Sequence, residues 1–88
     1  QKMKNKHFTE NGWKDYLFQK QNDRETLKKI NLLIADICEN GTTGIGKPEP
    51  LTGRMEGCWS RRINDKDRLV YCMDDDNIYI LSCRFHDD

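Results

Sequence analysis

Hydrophobic positions in the first half of the chain recur at intervals of three and four residues, the spacing of amphipathic helices. The first predicted helix covers residues 10–21, with Thr9 as its N-cap. Its apolar residues are Trp13, Tyr16 and Leu17. The second covers residues 24–39, with Asp23 as its N-cap, and its apolar stripe consists of Leu27, Ile30, Ile34 and Ile37. The tight turn between them predicts a helical hairpin that packs its stripe against another element.

The second half of the chain carries three apolar runs separated by Asn/Asp-rich turns, a pattern typical of antiparallel strands. The runs cover residues 57–63, 68–73 and 78–85. Before them, residues 42–50 contain two glycines and two prolines, so regular structure is not expected there. A short strand over residues 3–8 is weakly indicated. We predict an α+β fold in which the hairpin covers one face of an antiparallel sheet and leaves the other face, or its rim, for function.

Length and composition indicate one domain over residues 1–88. The chain is 35% hydrophobic and 34% charged, as in globular rather than disordered proteins. No apolar run approaches the ~20 residues that span a bilayer, and no signal-peptide core follows the lysine-rich opening. We therefore expect a cytoplasmic protein without membrane association. Because Gln1 is not a start residue, either Gln1 and Lys2 precede a native start at Met3 or the sequence is a piece of a longer chain.

The cysteines are spaced 20, 14 and 11 residues apart, without a C-x-x-C pair or a nearby His pair. They are Cys38, Cys58, Cys72 and Cys83. This spacing argues against a zinc site. Three of the four lie in apolar stretches of the predicted strands, where a thiol packs as a small hydrophobe. In a cytoplasmic protein we expect the thiols to stay reduced.

The formal net charge is zero, but the charges are unevenly distributed. Residues 46–71 carry six Lys/Arg against four Asp/Glu, whereas residues 72–88 carry one against five. A local cationic site can therefore exist on a neutral protein. Neutrality also predicts weak non-specific RNA binding, so an RNA partner would have to be structured.

Side chains alternate between the two faces of a strand, and this parity groups the candidate site residues. Odd positions such as Trp59 and Ile63 are mostly apolar, whereas Arg62 and Arg68 are even. The two arginines project together only if a five-residue turn or a bulge joins their strands. His86, also even, joins them if the second hairpin keeps the same parity.

The polar candidates combine a carboxylate, an imidazole and several cations, a set that suits phosphodiester chemistry. Internal cleavage of RNA needs a base for the 2′-hydroxyl proton, cations for the transition-state charge and an acid for the leaving 5′-oxygen. Glu49 is the candidate base, since its flanking prolines restrict the backbone. His86 is the candidate acid. The candidate phosphate-binding residues are Arg62, Arg68, Arg61 and Lys47.

Each of these residues also has an ordinary interpretation. Strand arginines commonly pair with neighbouring carboxylates such as Asp65 and Asp67. A histidine near a terminus is usually exposed and idle, and a loop glutamate is usually solvated. The chemistry alone therefore leaves the function open.

Four ordered blocks of the sequence resemble the YoeB (Txe) toxin family of the RelE superfamily. The blocks are residues 44–51 (GIGKPEPL), 57–63 (GCWSRRI), 68–71 (RLVY) and 83–86 (CRFH). Residues 13–17 and 28–31 are also similar to the family's two helices, so the similarity covers nearly the whole chain. The resemblance implies a β-α-α-β-β-β, RelE-like domain. It also implies a toxin of a type II toxin–antitoxin system, a ribosome-dependent endoribonuclease that cuts mRNA in the ribosomal A site and so inhibits translation.

The resemblance also assigns roles to individual residues. Glu49, in the K-P-E-P block, matches the family's general base, and His86 matches its general acid. Arg68 matches a residue that stabilises charge, and Arg62 one that contacts the phosphate. The implied partners are a YefM/Phd-type antitoxin, the ribosome and its mRNA, with a homodimer as a further option. No cofactor or metal is expected.

Departures from the family pattern leave alternatives open. Asp87 stands where the family has a tyrosine that contributes to the site, and its carboxylate would repel an RNA phosphate. Thr52 replaces a common lysine, and Cys58 a common aromatic residue. Asp87 motivates the alternative of a catalytically weakened toxin that inhibits by binding the ribosome or another target. A module that only binds the antitoxin is a third interpretation.

Overall fold

The computed structural model describes residues 3–85. Its elements are β1 (Asn5–Phe8), α1 (Glu10–Asn22), α2 (Arg24–Asn40), β2 (Glu49–Pro50), a 3-10 turn (Gly53–Met55), β3 (Cys58–Arg62), β4 (Arg68–Met73) and β5 (Asn77–Ser82). The helical hairpin packs on a single five-stranded sheet of order β1-β5-β4-β3-β2, which confirms the predicted α+β fold. Within the described part of the chain, neither helix is both long and apolar enough to cross a membrane.

The sheet differs from the prediction in two respects. Strand β1 pairs with β5 in parallel, so the sheet is mixed rather than wholly antiparallel. Strand β2 is a two-residue element in the loop that was predicted to be irregular, and it pairs Glu49 with Ser60 and Pro50 with Trp59. The residue before a proline favours extended backbone, so Glu49 is suited to pair with a strand edge.

Both predicted helix caps are present. The Thr9 hydroxyl accepts a hydrogen bond from the Gly12 amide at 3.1 Å, and the Asp23 carboxylate accepts one from the Thr26 amide at 3.1 Å. These bonds satisfy amides that have no partner within the helix. They fix where α1 and α2 begin.

Helix α2 supplies the helical side of the core. Its buried apolar residues are Ile30, Leu33, Ile34, Ile37 and Cys38. They pack with sheet residues that include Ile63, Leu69, Tyr71, Ile78 and Ile80. Leu33 is therefore part of the stripe, whereas the predicted Leu27 is only half-buried.

The predicted apolar stripe of helix α1 is only partly buried, although Tyr16 packs against the core. Trp13 is 47% exposed and stacks on Tyr16, while Gly12, Asp15 and Gln19 are the buried residues of the helix. A Cβ atom on Gly12 would lie 2.1 Å from the carbonyl oxygen of Ile80. This close backbone approach brings a polar face of α1 against β5.

The expectation that the thiols stay reduced is wrong for one pair, because Cys58 and Cys72 form a disulfide. The two residues lie directly opposite each other on β3 and β4, with their Cα atoms 4.3 Å apart. Such a separation is typical of a non-hydrogen-bonded antiparallel pair, in which the side chains are closest. Cys38 and Cys83 are free and buried, and burial raises the pKa of the Cys83 thiol to about 12.

Candidate active site

Arg62 and Arg68 are direct partners across strands β3 and β4. The connection between them is the five-residue turn, residues 63–67, that the parity argument required. Like charges placed opposite each other on a sheet repel and destabilise it. An anion bound between the two guanidinium groups would relieve this repulsion.

Glu49 lies on the same face as the two arginines. Because it pairs with Ser60 across β2 and β3, both side chains project to one side of the sheet, and Arg62 follows two residues later on that side. These residues line a common cavity of about 200 Å³, formed by Lys47, Glu49, Ser60, Arg62 and Arg68. The structure thus brings together four predicted site residues, and it adds Ser60, whose even position was the signal that could have identified it.

The loop that carries Lys47 and Glu49 is anchored to β3 by its backbone. The Gly46 carbonyl accepts a hydrogen bond from the Arg62 amide at 2.7 Å. Gly46 has φ of 81°, and a Cβ atom there would lie 2.6 Å from the Leu33 side chain. The next residue, Lys47, also has a left-handed φ, of 52°, which is uncommon for a non-glycine residue. Unusual backbone conformations of this kind concentrate at functional sites.

The two arginines of the cavity are held differently. Arg68 donates to the carbonyl oxygens of Asn64 and Asp67, at 2.8 and 3.0 Å, so the turn fixes its guanidinium. Arg62 pairs with the fully exposed carboxylate of Asp65 at 2.8 Å. An exposed pair contributes only about 0–1 kcal/mol, so Arg62 can exchange Asp65 for a phosphate at little cost.

Arg61 was also predicted to bind RNA phosphate, but the structure places it in the core and not in the lining of this cavity. Its side chain is completely buried, and the five N–H donors of the guanidinium are all used. Their acceptors are the Asp36 carboxylate, the carbonyl oxygens of Gly41, Thr43 and Ile45, and the Tyr71 hydroxyl. The odd position of Arg61 places it on the core side of β3, opposite to Arg62.

Asp36 completes the anchoring of residues 41–46. Its carboxylate also accepts hydrogen bonds from the Asn40 amide group at 2.7 Å and from the Ile45 backbone at 3.2 Å. The Arg61 guanidinium, more than any other partner, holds the pKa of Asp36 below its ordinary value. The carboxylate therefore stays charged beneath the loop.

His86 lies outside the described residues, as does Asp87, so its predicted place beside the arginines remains a prediction. The second hairpin changes parity along its length, since Cys72 pairs with Tyr79 but Val70 pairs with Ser82. A bulge between Val70 and Tyr71 produces this shift. At the C-terminal end of β5, even positions of β5 therefore pair with even positions of β4, as Ser82 does with Val70.

A larger cavity, of about 650 Å³, lies between the end of α1, the 64–67 turn and Phe85. Its described lining includes Asp67 and Arg84 but not Lys47, Glu49, Arg62 or Arg68. The smaller cavity combines a carboxylate with three cations. It is therefore the better candidate for phosphodiester chemistry.

The sequence is similar to those of known proteins. Residues 8–87 match the family model of the YoeB-like toxin of bacterial type II toxin-antitoxin system. The chain is 56% identical over 79 residues to Toxin YoeB of Synechocystis sp. The aligned region covers 90% of this chain and 92% of that protein.

Solved structures share the fold. The structure of a YoeB dimer from Staphylococcus aureus has a TM-score of 0.89 and 45% identity, over 97% of this chain and 99% of that one. A chain from a heterotetrameric YoeB-YefM toxin-antitoxin complex of Staphylococcus aureus has a TM-score of 0.89 and 46% identity. The match covers 96% of this chain and 98% of that one. This protein therefore belongs to the YoeB family, the toxins of bacterial type II toxin–antitoxin systems.

Proposed function

We propose that this toxin is a ribosome-dependent endoribonuclease that cuts mRNA in the ribosomal A site and so inhibits translation. One observation carries the proposal: Glu49 shares a cavity with Lys47, Arg62 and Arg68. A single carboxylate among three cations suits a reaction that needs one base and a site for a dianionic phosphorane-like transition state.

The reaction begins at the ribose 2′-hydroxyl. Glu49 accepts the hydroxyl proton while the 2′-oxygen attacks the adjacent phosphorus. The bond from phosphorus to the 5′-oxygen then breaks, and His86 donates a proton to that oxygen. The products are a 2′,3′-cyclic phosphate and a free 5′-hydroxyl. Glu49 has gained one proton and His86 has lost one, so the protons balance.

The cations act on the charge of the phosphate. Arg68, fixed by the turn carbonyls, is preorganised, so it stabilises the transition state without rearranging. Arg62 provides a second guanidinium on the facing strand, and Lys47 a point charge from the loop. Arg61 has no part in phosphate binding in this mechanism.

The neutral charge of the protein supports a structured target. Without a basic excess, long-range attraction to RNA is weak. The ribosome would supply the mRNA to the site, because it holds a single strand of mRNA in a defined position.

Two further partners follow from relatives. Solved structures show YoeB of Staphylococcus aureus in complex with YefM and as a dimer. We propose a YefM/Phd-type antitoxin as the inhibitor of this toxin, and a homodimer in its absence.

The test is in vitro translation of a defined mRNA, followed by removal of protein and mapping of the RNA ends. Purified protein should produce new ends within the codon in the A site, and no ends when ribosomes are omitted. Glu49→Gln, which keeps the size of the side chain, should slow cleavage at least about 100-fold, in line with the 10²–10⁴-fold contribution of a general base. The matched control is Glu56→Gln, an exposed carboxylate outside the cavity lining.

The competing function is inhibition by occupancy, which Asp87 motivates. In that case translation stops and a block to primer extension is seen on the intact complex. The block disappears once protein is removed, because no bond has been cut. Intact message under conditions of full inhibition would overturn the endoribonuclease proposal.

A further inference from the structure

The polar face of α1 holds the end of strand β5. The Asp15 carboxylate accepts a hydrogen bond from the Cys83 amide at 3.2 Å, and the Gln19 side chain donates one to the Cys83 carbonyl at 3.2 Å. Both side chains are buried, at 3% and 4% exposure. Side chains of a helix thus satisfy the backbone of residue 83 where the sheet ladder has ended.

Asp67 continues this network from the opposite side. Its carboxylate is 5% exposed and accepts a hydrogen bond from the Phe85 amide at 2.7 Å through one oxygen. The other oxygen accepts one from the Asn64 side chain at 2.9 Å. Burial by itself would raise the pKa of Asp67, but the hydrogen bonds from Phe85, Asn64 and Gln19 outweigh it and leave the pKa below its ordinary value.

The turn uses only one of the two carboxylate oxygens of Asp67, the one that accepts from Asn64. The Asn64 side-chain oxygen accepts hydrogen bonds from the amides of Lys66 and Asp67, at 2.9 and 2.7 Å. The Asp67 carbonyl accepts one from the Ile63 amide at 3.1 Å. These bonds involve only the backbone of Asp67. The other carboxylate oxygen, which accepts from the Phe85 amide, therefore serves a contact outside the turn.

Asp67 links two parts of the candidate site. Its carbonyl oxygen holds the Arg68 guanidinium, and its carboxylate holds the amide of the residue before His86. One residue therefore relates the position of the Arg68 guanidinium to that of the Phe85 backbone.

We propose that Asp67 is a positioning residue for RNA cleavage, which fixes the backbone of Phe85, the residue before His86 in the sequence, relative to Arg68. The proposal rests on the proposed function, because it takes His86 as the general acid. Nothing in it requires Asp67 to touch the RNA.

The experiment compares the parent protein with Asp67→Ala, Asp67→Asn and a control, Asp75→Asn. Asp75 is an exposed carboxylate in the turn at the other end of β4. Backbone order is read from the hydrogen exchange and ¹⁵N relaxation of the Phe85 amide in the isolated protein. Cleavage is read on translating ribosomes, as the rate at saturation and the concentration for half-maximal rate.

In Asp67→Ala we expect the Phe85 amide to lose its protection while the amides of β4 keep theirs. The saturated cleavage rate should fall by up to about 100-fold, as expected when a catalytic group is displaced by about 1 Å, with the half-saturating concentration almost unchanged. Asp67→Asn keeps an oxygen for the Phe85 amide, so it should recover part of both readouts. Asp75→Asn should match the parent.

Two results would overturn the proposal. One is a protected Phe85 amide in Asp67→Ala, which would show that other contacts hold the segment. The other is an unprotected amide with an unchanged saturated rate, which would show that order at Phe85 does not matter for cleavage. A parent protein that cuts no RNA would instead remove the proposed function, and the amide readout would still report whether Asp67 orders the segment.

Discussion

Asp36 and Arg61 form a buried ion pair that joins helix α2 to strand β3 beneath the loop that carries Lys47 and Glu49. The Arg61 side chain is fully buried, and that of Asp36 is 19% exposed. Through its other donors Arg61 also holds the carbonyls of Gly41, Thr43 and Ile45. The pair thus supports the candidate site from below without being part of it.

Removal of Arg61 should be among the most destabilising single changes in the chain. Arg61→Met keeps much of the side-chain volume but removes the cation that pairs with Asp36 and one hydrogen-bond donor from each of three carbonyls. We expect a loss of about 3–5 kcal/mol in the free energy of unfolding, the range for breaking one half of a buried pair, measured by urea denaturation. Arg62→Met, on the exposed face, is the control and should lose less than about 1 kcal/mol. Equal losses in the two variants would refute the structural role of Arg61.

The Asp36 carboxylate should make the free energy of unfolding depend on pH in the acidic range. Its pKa is lowered in the folded state from the ordinary value of 3.8, so the folded protein binds fewer protons than the unfolded chain near that pH. The resulting stabilisation is complete above pH 3.8 and is lost as the pH falls through the folded-state pKa. Asp36→Asn should be less stable than the parent at neutral pH, and the gap should narrow in acid. If the difference in stability between Asp36→Asn and the parent stayed constant as the pH was lowered, the acid dependence would not come from Asp36.

Reduction of the disulfide between Cys58 and Cys72 should lower stability without changing the site. The bond closes a loop with a sequence separation of 14 residues, for which the chain-entropy estimate is about 3 kcal/mol. The backbone ladder of β3 and β4 remains after reduction, so Arg62 and Arg68 should stay paired across the strands. Thermal unfolding with and without dithiothreitol measures the effect. A Cys58→Ser/Cys72→Ser variant is the control, and its melting temperature should not respond to the reductant.

Gly12 should not tolerate even one added methyl group. In Gly12→Ala the new Cβ would meet the Ile80 carbonyl oxygen, so α1 would have to move away from β5. We expect a loss of about 1–3 kcal/mol, as for overpacked cores, although alanine is the better helix former. Asn11→Ala, at an exposed position of the same helix, should be neutral or slightly stabilising. Chemical denaturation of both variants decides the matter, and a stabilised Gly12→Ala would show that the contact is not tight.

Much of the candidate site could be predicted from the sequence because its geometry depends on parity and turn length. Arg62 and Arg68 could be paired through the five-residue turn, and Lys47 and Glu49 were identified by their proline-flanked block. Arg61 shows the limit of reading by residue type. Arg61 looked equivalent by residue type to Arg62, the neighbouring candidate for phosphate binding, yet one position along a strand exchanges the solvent face for the core.

Local features of the sequence determined the helices, their caps, the three long strands and the face shared by the two arginines, since each depends on neighbours within a few residues. Only the tertiary structure decided what depends on distant partners. The parallel pairing of β1, the two-residue β2, the polar face of α1 and the disulfide all require segments far apart in the chain to meet in one register. The same holds for Asp67 and Phe85, which are 18 residues apart and meet because the sheet brings the turn beside the end of β5. Side-chain periodicity states which face a residue can use, but the partner on that face is set by the packing of the whole chain.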